Sequence, residues 1–260
     1  SRLMALTQMT LNCLSALAVQ TPADGQRLLA LGAPPERLTV TGNIKFDLTM
    51  APSLAEEGAS LRRQLGTHRP VWIAASTHSG EEELILAAHA HLRQVLPNAL
   101  LILVPRHPER FSRVAVLCRR SGFALVSWSD HHPCQADTAV YLGDTMGRLP
   151  MFYAAADLAF VGGSLVPTGG HNLLEPAALG LPTLQGPHHF NFAEVTRLLE
   201  EAGVLQEVAN SEELAAKVAY WLQDANLRHA MGERARAVIN ANRGALARLL
   251  TILQQLIPEE

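Results

Sequence analysis

Short apolar runs alternate with amphipathic stretches along most of this chain, most regularly from Pro70 onward. The runs VWIAAST (71–77), ALLILVP (99–105), FALVS (123–127) and TAVYLG (138–143) have the near-continuous apolar character of strands buried on both faces. Amphipathic stretches over 80–96 and 108–121 fill the first two gaps as helices. A short helix at 149–155 leads into the strand DLAFVG and a glycine-rich turn. A helix over 171–180, another short strand and a helix over 192–202 follow. This order predicts an α/β fold, a Rossmann-like doubly wound parallel sheet with helices on both faces.

The pattern upstream is looser. Residues 15–21 (SALAVQT) read as a short strand, and Pro22 suits the first turn of a helix that runs to Leu31 and stops at Gly32. Leu38–Thr41 reads as another strand, with turn chemistry in Thr41-Gly42-Asn43. Residues 48–58 form a linker into a helix that starts around Pro52-Ser53. The opening, SRLMALTQMTLNCL, is amphipathic from its first residues, as though in mid-helix, so the chain is expected to be part of something longer.

Composition narrows the function classes. The 260 residues are 48% hydrophobic and 17% charged, ordinary values for a soluble globular protein. A net charge of −3 argues against binding a nucleic-acid backbone, whereas a single phosphate needs only a helix terminus and an arginine. Cys13, Cys118 and Cys134 are scattered and make neither a disulfide framework nor a metal spacing, which points to a reducing cytosolic compartment. No run approaches the roughly 18 apolar residues of a membrane span. Ser1 looks like neither a native start nor a targeting sequence.

Ligands of such sheets gather at the carboxyl ends of the strands. Four loops fall there: Ser76-Thr77-His78, Pro105-Arg106-His107-Pro108, Gly143-Asp144-Thr145-Met146, and the turn from Gly162 to Gly170. Glycines let that turn come close to a ligand, and a helix starting near His171 would offer unpaired N–H groups to a phosphate. Gly169, Gly170, His171 and Asn172 are the candidates for that contact. Glu175, one turn inside the expected helix, can accept hydrogen bonds from a ribose diol. Together these read as a nucleotide grip. Arg106 can meet a phosphate with paired, charge-assisted bonds, and Ser76 and Thr77 can add hydroxyls and backbone donors. The competing account of the latter segment is helix capping: Ser79 as N-cap, with Glu81, Glu82 and Glu83 as surface residues matching the helix dipole. Sharper motifs fail. The turn lacks the G-x-G-x-x-G order and the P-loop lysine, Ser164 is not in a nucleophile elbow, and the histidines lack zinc spacing.

The segments STHSGEEE, LVPRHPER, GDTMGRLPMFYAAADLAFVGGS and GGHNLLEPAALGLPTLQGPHHFNF closely resemble the donor-binding half of 3-deoxy-D-manno-octulosonate (Kdo) transferases, in order and spacing, from about Thr21 to the C-terminus. That family has the GT-B fold, and the resemblance implies an inverting transfer of Kdo from CMP-Kdo to a lipid A precursor. It also implies a tail of the acceptor domain over 1–47 and a CMP-Kdo-binding domain over 48–240. Residues 241–260 would be a C-terminal helix returning toward the first domain. Arg106, Gly169, Gly170, His171, Asn172, Ser76 and Thr77 would then face the CMP phosphate, and Glu175 the ribose. Pro105, Met146, Gly147 and Leu149 would hold the flat cytosine, and His78, His188 and Asn191 are candidates for the Kdo sugar. No residue here is expected to be the general base, which would lie in a domain these residues do not include. The resemblance requires neither a cofactor nor a metal, and it implies work at the cytoplasmic face of the bacterial inner membrane through that other domain.

Two rivals stay open at this stage. One is another GT-B enzyme, or an epimerase, using a UDP-sugar, since ribose and phosphate contacts do not separate uridine from cytidine. The other is a non-catalytic nucleotide-binding module, with Leu246, Leu249, Leu250 and Leu253 exposed for self-association or partner docking.

Overall fold

A computed structural model describes residues 2–257, and the chain forms two compact units. The smaller comprises Ser1–Thr49 and Ile239–Glu260, and the larger Met50–Val238. The smaller unit opens with helix α1 (Arg2–Asn12), strand β1 (Leu17–Val19), helix α2 (Pro22–Ala30) and strand β2 (Leu38–Val40). β1 and β2 pair in parallel. Thr21 caps α2 by accepting from the Asp24 N–H, and Pro22 sits in its first turn, where no donor is missed.

In the larger unit, α3 (Leu54–Leu65) precedes β3 (Val71–Thr77), α4 (Glu82–Val95), β4 (Leu100–Pro105) and α5 (Phe111–Arg120). Next come β5 (Leu125–Ser127), β6 (Val140–Leu142), α6 (Leu149–Ala154), β7 (Leu158–Val161) and α7 (Leu174–Ala178). The unit continues through β8 (Thr183–Gln185), α8 (Ala193–Glu201), β9 (Leu205–Glu207), α9 (Ser211–Gln223) and most of α10 (Ala225–Ala241). Strands β3 to β9 form one seven-stranded, all-parallel sheet in the order β5-β6-β4-β3-β7-β8-β9. The expected doubly wound sheet is present. Its order reverses between β3 and β7, so a crevice opens at their carboxyl ends.

Strand alternation assigns the two faces. Val71, Ile73 and Ala75 of β3 join a core cluster with Leu61 and Leu65 of α3 and Phe152 and Tyr153 of α6. Trp72 points the other way, toward α4, where its Nε1–H donates to Nδ1 of His89 at 3.1 Å. The other ring nitrogen of His89 lies 2.9 Å from the Ala139 carbonyl, so it carries the proton. Burial pushes His89 down to about 3, which keeps it a neutral connector.

The last helix, α11 (Ala245–Leu256), belongs to the smaller unit. The Asp47 carboxylate accepts from the N–H groups of Gly244 (2.6 Å) and Leu246 (2.7 Å) at its start, and these bonds hold the carboxyl below its usual range. Leu246, Leu250 and Leu253 are exposed, and Leu249 is half-buried. Among the described residues no helix is long and apolar enough to cross a membrane.

One close approach sets where α6, and so part of the site, can lie. Gly58 of α3 faces α6, where a Cβ would sit 2.5 Å from that of Ala154 and 3.0 Å from its carbonyl carbon. Gly→Ala normally stabilises a helix by up to about 1 kcal/mol. At Gly58→Ala the overpacking, about 1–3 kcal/mol, outweighs that gain. The variant is expected to melt below the wild type in a thermal scan, and an equal or higher melting temperature would refute the packing argument.

Candidate functional site

The carboxyl ends of β3, β4 and β6 and the segment after β7 enclose a cavity of about 280 Å³ within the larger unit. From the sequence candidates it gathers Ser76, Pro105, Arg106, Met146, Gly147, Leu149, His171, Asn172 and Glu175. Thr77, His78, Gly169, Gly170, His188 and Asn191 lie outside its lining. Val104, Thr145, Tyr153 and Phe192 complete it.

Ser76 reaches the cavity through a backbone irregularity. The β3–β4 register slips between Ala75 and Thr77, and Ser76 occupies the left-handed region at φ 57°. A bulge of this kind re-aims a side chain at a strand end. Thr77 turns inward instead and is fully buried, donating its hydroxyl to Glu82 at 3.2 Å. Glu82 also pairs with Arg110 at 2.7 Å. Burial raises its pKa against the lowering effect of the Arg110 bond.

Several local expectations are corrected here. Glu81 and Glu82 are not surface residues but wholly buried; only Glu83 is exposed. Ser79 does not cap α4, which begins at Glu82 without a side-chain cap. The helix expected over 171–180 is only Leu174–Ala178, because the Asn172 side-chain Oδ1 accepts from the Leu174 N–H and ends an extended segment there. Glu175 is thus the second residue of α7 rather than one turn inside. The Gly170 N–H, expected to face a phosphate, donates to the Gly163 carbonyl at 2.8 Å and is committed within the turn. Gly169 lies under Phe190 and Asn191, and Asn191 reaches the Thr168 carbonyl at 3.4 Å.

In the cavity lining Asn172 donates to Glu175 Oε1 at 3.2 Å, so its amide orients the carboxylate. Burial raises the Glu175 pKa, partly opposed by that bond. Tyr153 stands nearby, fully buried. Burial, with the Glu175 carboxylate adding to it, pushes its phenol well above the usual value, so it keeps its proton. Tyr153 was legible in principle, since it follows Leu149 by one helical turn on the same face. Arg106, also in the lining, is exposed and in no ion pair among the described residues, which leaves its guanidinium available to an anion.

His171, in the cavity lining, and His78 stack in parallel, centroids 5.0 Å apart and planes at 8°, with their Nε2 atoms 2.7 Å apart. His107 meets His78 edge-on at 5.3 Å. One Nε2 must donate and the other accept, so this contact holds a single proton. Burial, then the neighbouring His78, Arg106 and His107, push His171 down to about 4. Burial likewise lowers His78, against the raising effect of Glu81. Gly163 has φ +66°, and a Cβ there would meet the His171 ring at 2.9 Å, so only glycine lets the turn lie against the pair.

Among the described residues no group of three or more His, Cys, Asp or Glu is placed to hold a metal ion. The lining offers a carboxylate from Glu175, an amide from Asn172, a cation from Arg106, and apolar surface from Val104, Met146 and Leu149.

Comparison with known proteins defines the class. A family model described as glycosyl transferases group 1 matches residues 76–238, and one described as 3-deoxy-D-manno-octulosonic-acid transferase (kdotransferase) matches residues 1–48. The 3-deoxy-D-manno-octulosonic acid transferase of Haemophilus influenzae is 45% identical over 93% of this chain and 57% of its own length. That of Bordetella pertussis is 38% identical over 93% and 56%. The crystal structure of the C-terminal CMP-Kdo binding domain of WaaA from Acinetobacter baumannii superposes with a TM-score of 0.69 at 33% identity, covering 73% of this chain and 99% of that one. The chain belongs to the group 1 glycosyltransferases and, within them, to the Kdo transferases. It spans little more than half the length of these two curated relatives.

The histidine pair gives a direct test. A histidine whose folded pKa is depressed binds its proton later than the unfolded chain does. Its contribution to stability is therefore complete above the ordinary 6.5 and declines as pH falls from there to about 4. In an NMR titration the His171 ring is expected to stay neutral through pH 5.5 and to titrate near pH 4. A midpoint near 6.5 would show the burial and pairing to be wrong.

Proposed function

We propose that the cavity binds the CMP moiety of CMP-Kdo, and that the whole protein transfers Kdo from this donor to a lipid A precursor. The observation that carries the reading is that Glu175 and Arg106 both line one strand-end cavity. It occurs in a unit that resembles a CMP-Kdo binding domain along nearly its whole length. In this reading Glu175, oriented by Asn172, accepts hydrogen bonds from the ribose diol. Met146, Gly147, Leu149 and Pro105 pack the cytosine, which is flat and uncharged and suits apolar walls with backbone donors. Arg106 and Ser76 hold the phosphate.

The role of this unit is then to stabilise the leaving group. An acceptor hydroxyl attacks the anomeric carbon, and negative charge grows on the departing CMP phosphate, where the Arg106 guanidinium can follow it. The general base, acceptor contacts and attachment at the cytoplasmic face of the inner membrane belong, in this proposal, to sequence the longer relatives have and this chain does not span. His78, beside His171, is assigned to the Kdo sugar. His188 and Asn191, outside the cavity lining as His78 is, are assigned to the same sugar.

Calorimetric titration tests the ligand. CMP is expected to bind more tightly than UMP or UDP, and a preference for UDP would overturn the assignment in favour of a UDP-sugar enzyme. Glu175→Gln and Arg106→Ala are each expected to weaken CMP binding by about 10- to 100-fold, the loss of a hydrogen bond to a charged group. Wild-type affinity in both variants would contradict the two roles.

A further inference from the structure

The glycine turn looks, in sequence, like an anion cradle, and the structure shows the protein filling it from within. Glu81 is completely buried. Its Oε2 accepts from the N–H groups of Gly163 (2.8 Å) and His78 (3.2 Å). Its Oε1 accepts from those of Ser164 (3.1 Å) and Leu165 (3.0 Å). Three successive amides of the segment after β7, and one from the segment after β3, thus converge on one carboxylate. The approach is tight: a Cβ on Gly162 would come within 2.6 Å of Oε2. Ser164 reinforces the same turn, donating its hydroxyl to the Val161 carbonyl (2.6 Å) and accepting from the Gly186 N–H (2.8 Å).

These two segments carry the site. The first holds Ser76 and His78, the second His171, Asn172 and Glu175, and the His78–His171 contact at 2.7 Å bridges them. We infer that Glu81 is a positioning residue for the donor site. Its carboxylate joins the two loops, which sets the histidine pair and brings Ser76 and Asn172–Glu175 to one cavity.

The chemistry demands a carboxylate. Both oxygens face two N–H donors each, so all available geometry is acceptor geometry. Glutamine has the same size, but whichever way its amide turns, an NH₂ faces two N–H groups. A surface glutamate matching a helix dipole would tolerate that exchange with little effect.

The inference rests on the CMP reading for one of its readouts only. Glu81→Gln and a control, Glu83→Gln at the adjacent exposed position, are compared with the wild type by CMP calorimetry and by ¹⁵N-histidine NMR. In Glu81→Gln, CMP affinity is expected to fall at least about tenfold, the scale expected when a site loses its alignment. The hydrogen-bonded Nε2 signal of the His78–His171 pair is expected to disappear while the remaining histidine signals persist. Glu83→Gln is expected to keep both. Wild-type affinity together with a wild-type histidine spectrum in Glu81→Gln would overturn the inference. If the wild type itself does not bind CMP, the donor reading fails and the histidine spectrum alone decides the role of Glu81. If Glu81→Gln does not fold, hydrogen exchange in the wild type decides: protected amides at Gly163, Ser164 and Leu165 support the clamp, and exchange as fast as an exposed loop overturns it.

Discussion

Every feature of the candidate site depends on one constraint: all seven strands of the large sheet run in the same direction. Parallel strands must be joined by crossovers, so their carboxyl ends lie along a single edge while the helices cover both faces. Segments far apart in sequence, at 76, 105, 146 and 171, therefore meet at one cavity without any of them being specialised for meeting. The reversal between β3 and β7 opens the crevice there. Close packing then refines the edge. Gly58 lets α6 approach α3, and α6 delivers Leu149 and Tyr153.

The second organising theme is the management of charge. Backbone amides in the turn after β7 are satisfied by Glu81, and Glu82 is satisfied by Arg110 and Thr77. Unmatched charges in such surroundings would cost several kcal/mol each. Burial lowers the pKa of His171 and His78 against the same problem, and His89 stays neutral in the core with both ring nitrogens bonded. Arg106, in the cavity lining, makes no ion pair among the described residues. A fixed cation beside neutral rings attracts an anion without raising the proton affinity of its neighbours.

Much of this was legible in the residues. The alternation of VWIAAST, ALLILVP and DLAFVG with amphipathic stretches specifies a parallel sheet, because only strands buried on both faces can be so continuously apolar. Nine cavity residues were legible too, since strand-end loops are found by locating strands. What escaped was set by tertiary partners. Glu81 sits in a run of three glutamates, and nothing local distinguishes the buried acceptor of four amides from its exposed neighbour Glu83. The start of α7 was misplaced because the Asn172 side chain competes with the helix for the Leu174 N–H. Strand β9 and helices α9 and α10 carry weaker periodic signals and were not drawn from the sequence at all.

The shortened α7 changes the physical account of anion binding. A helix of five residues has little macrodipole, and its first free N–H is taken by Asn172. The Gly170 amide is taken by Gly163, and those of Gly163, Ser164 and Leu165 by Glu81. These backbone dipoles are therefore spent on the fold, and in the proposed reading the burden of meeting a phosphate shifts to side chains, Arg106 above all. A guanidinium on an exposed loop between two prolines keeps its five donors free until a ligand arrives. In the proposed reading rigidity comes from the buried carboxylate and attraction for the phosphate from the cation, and the two roles sit on different loops of the same edge.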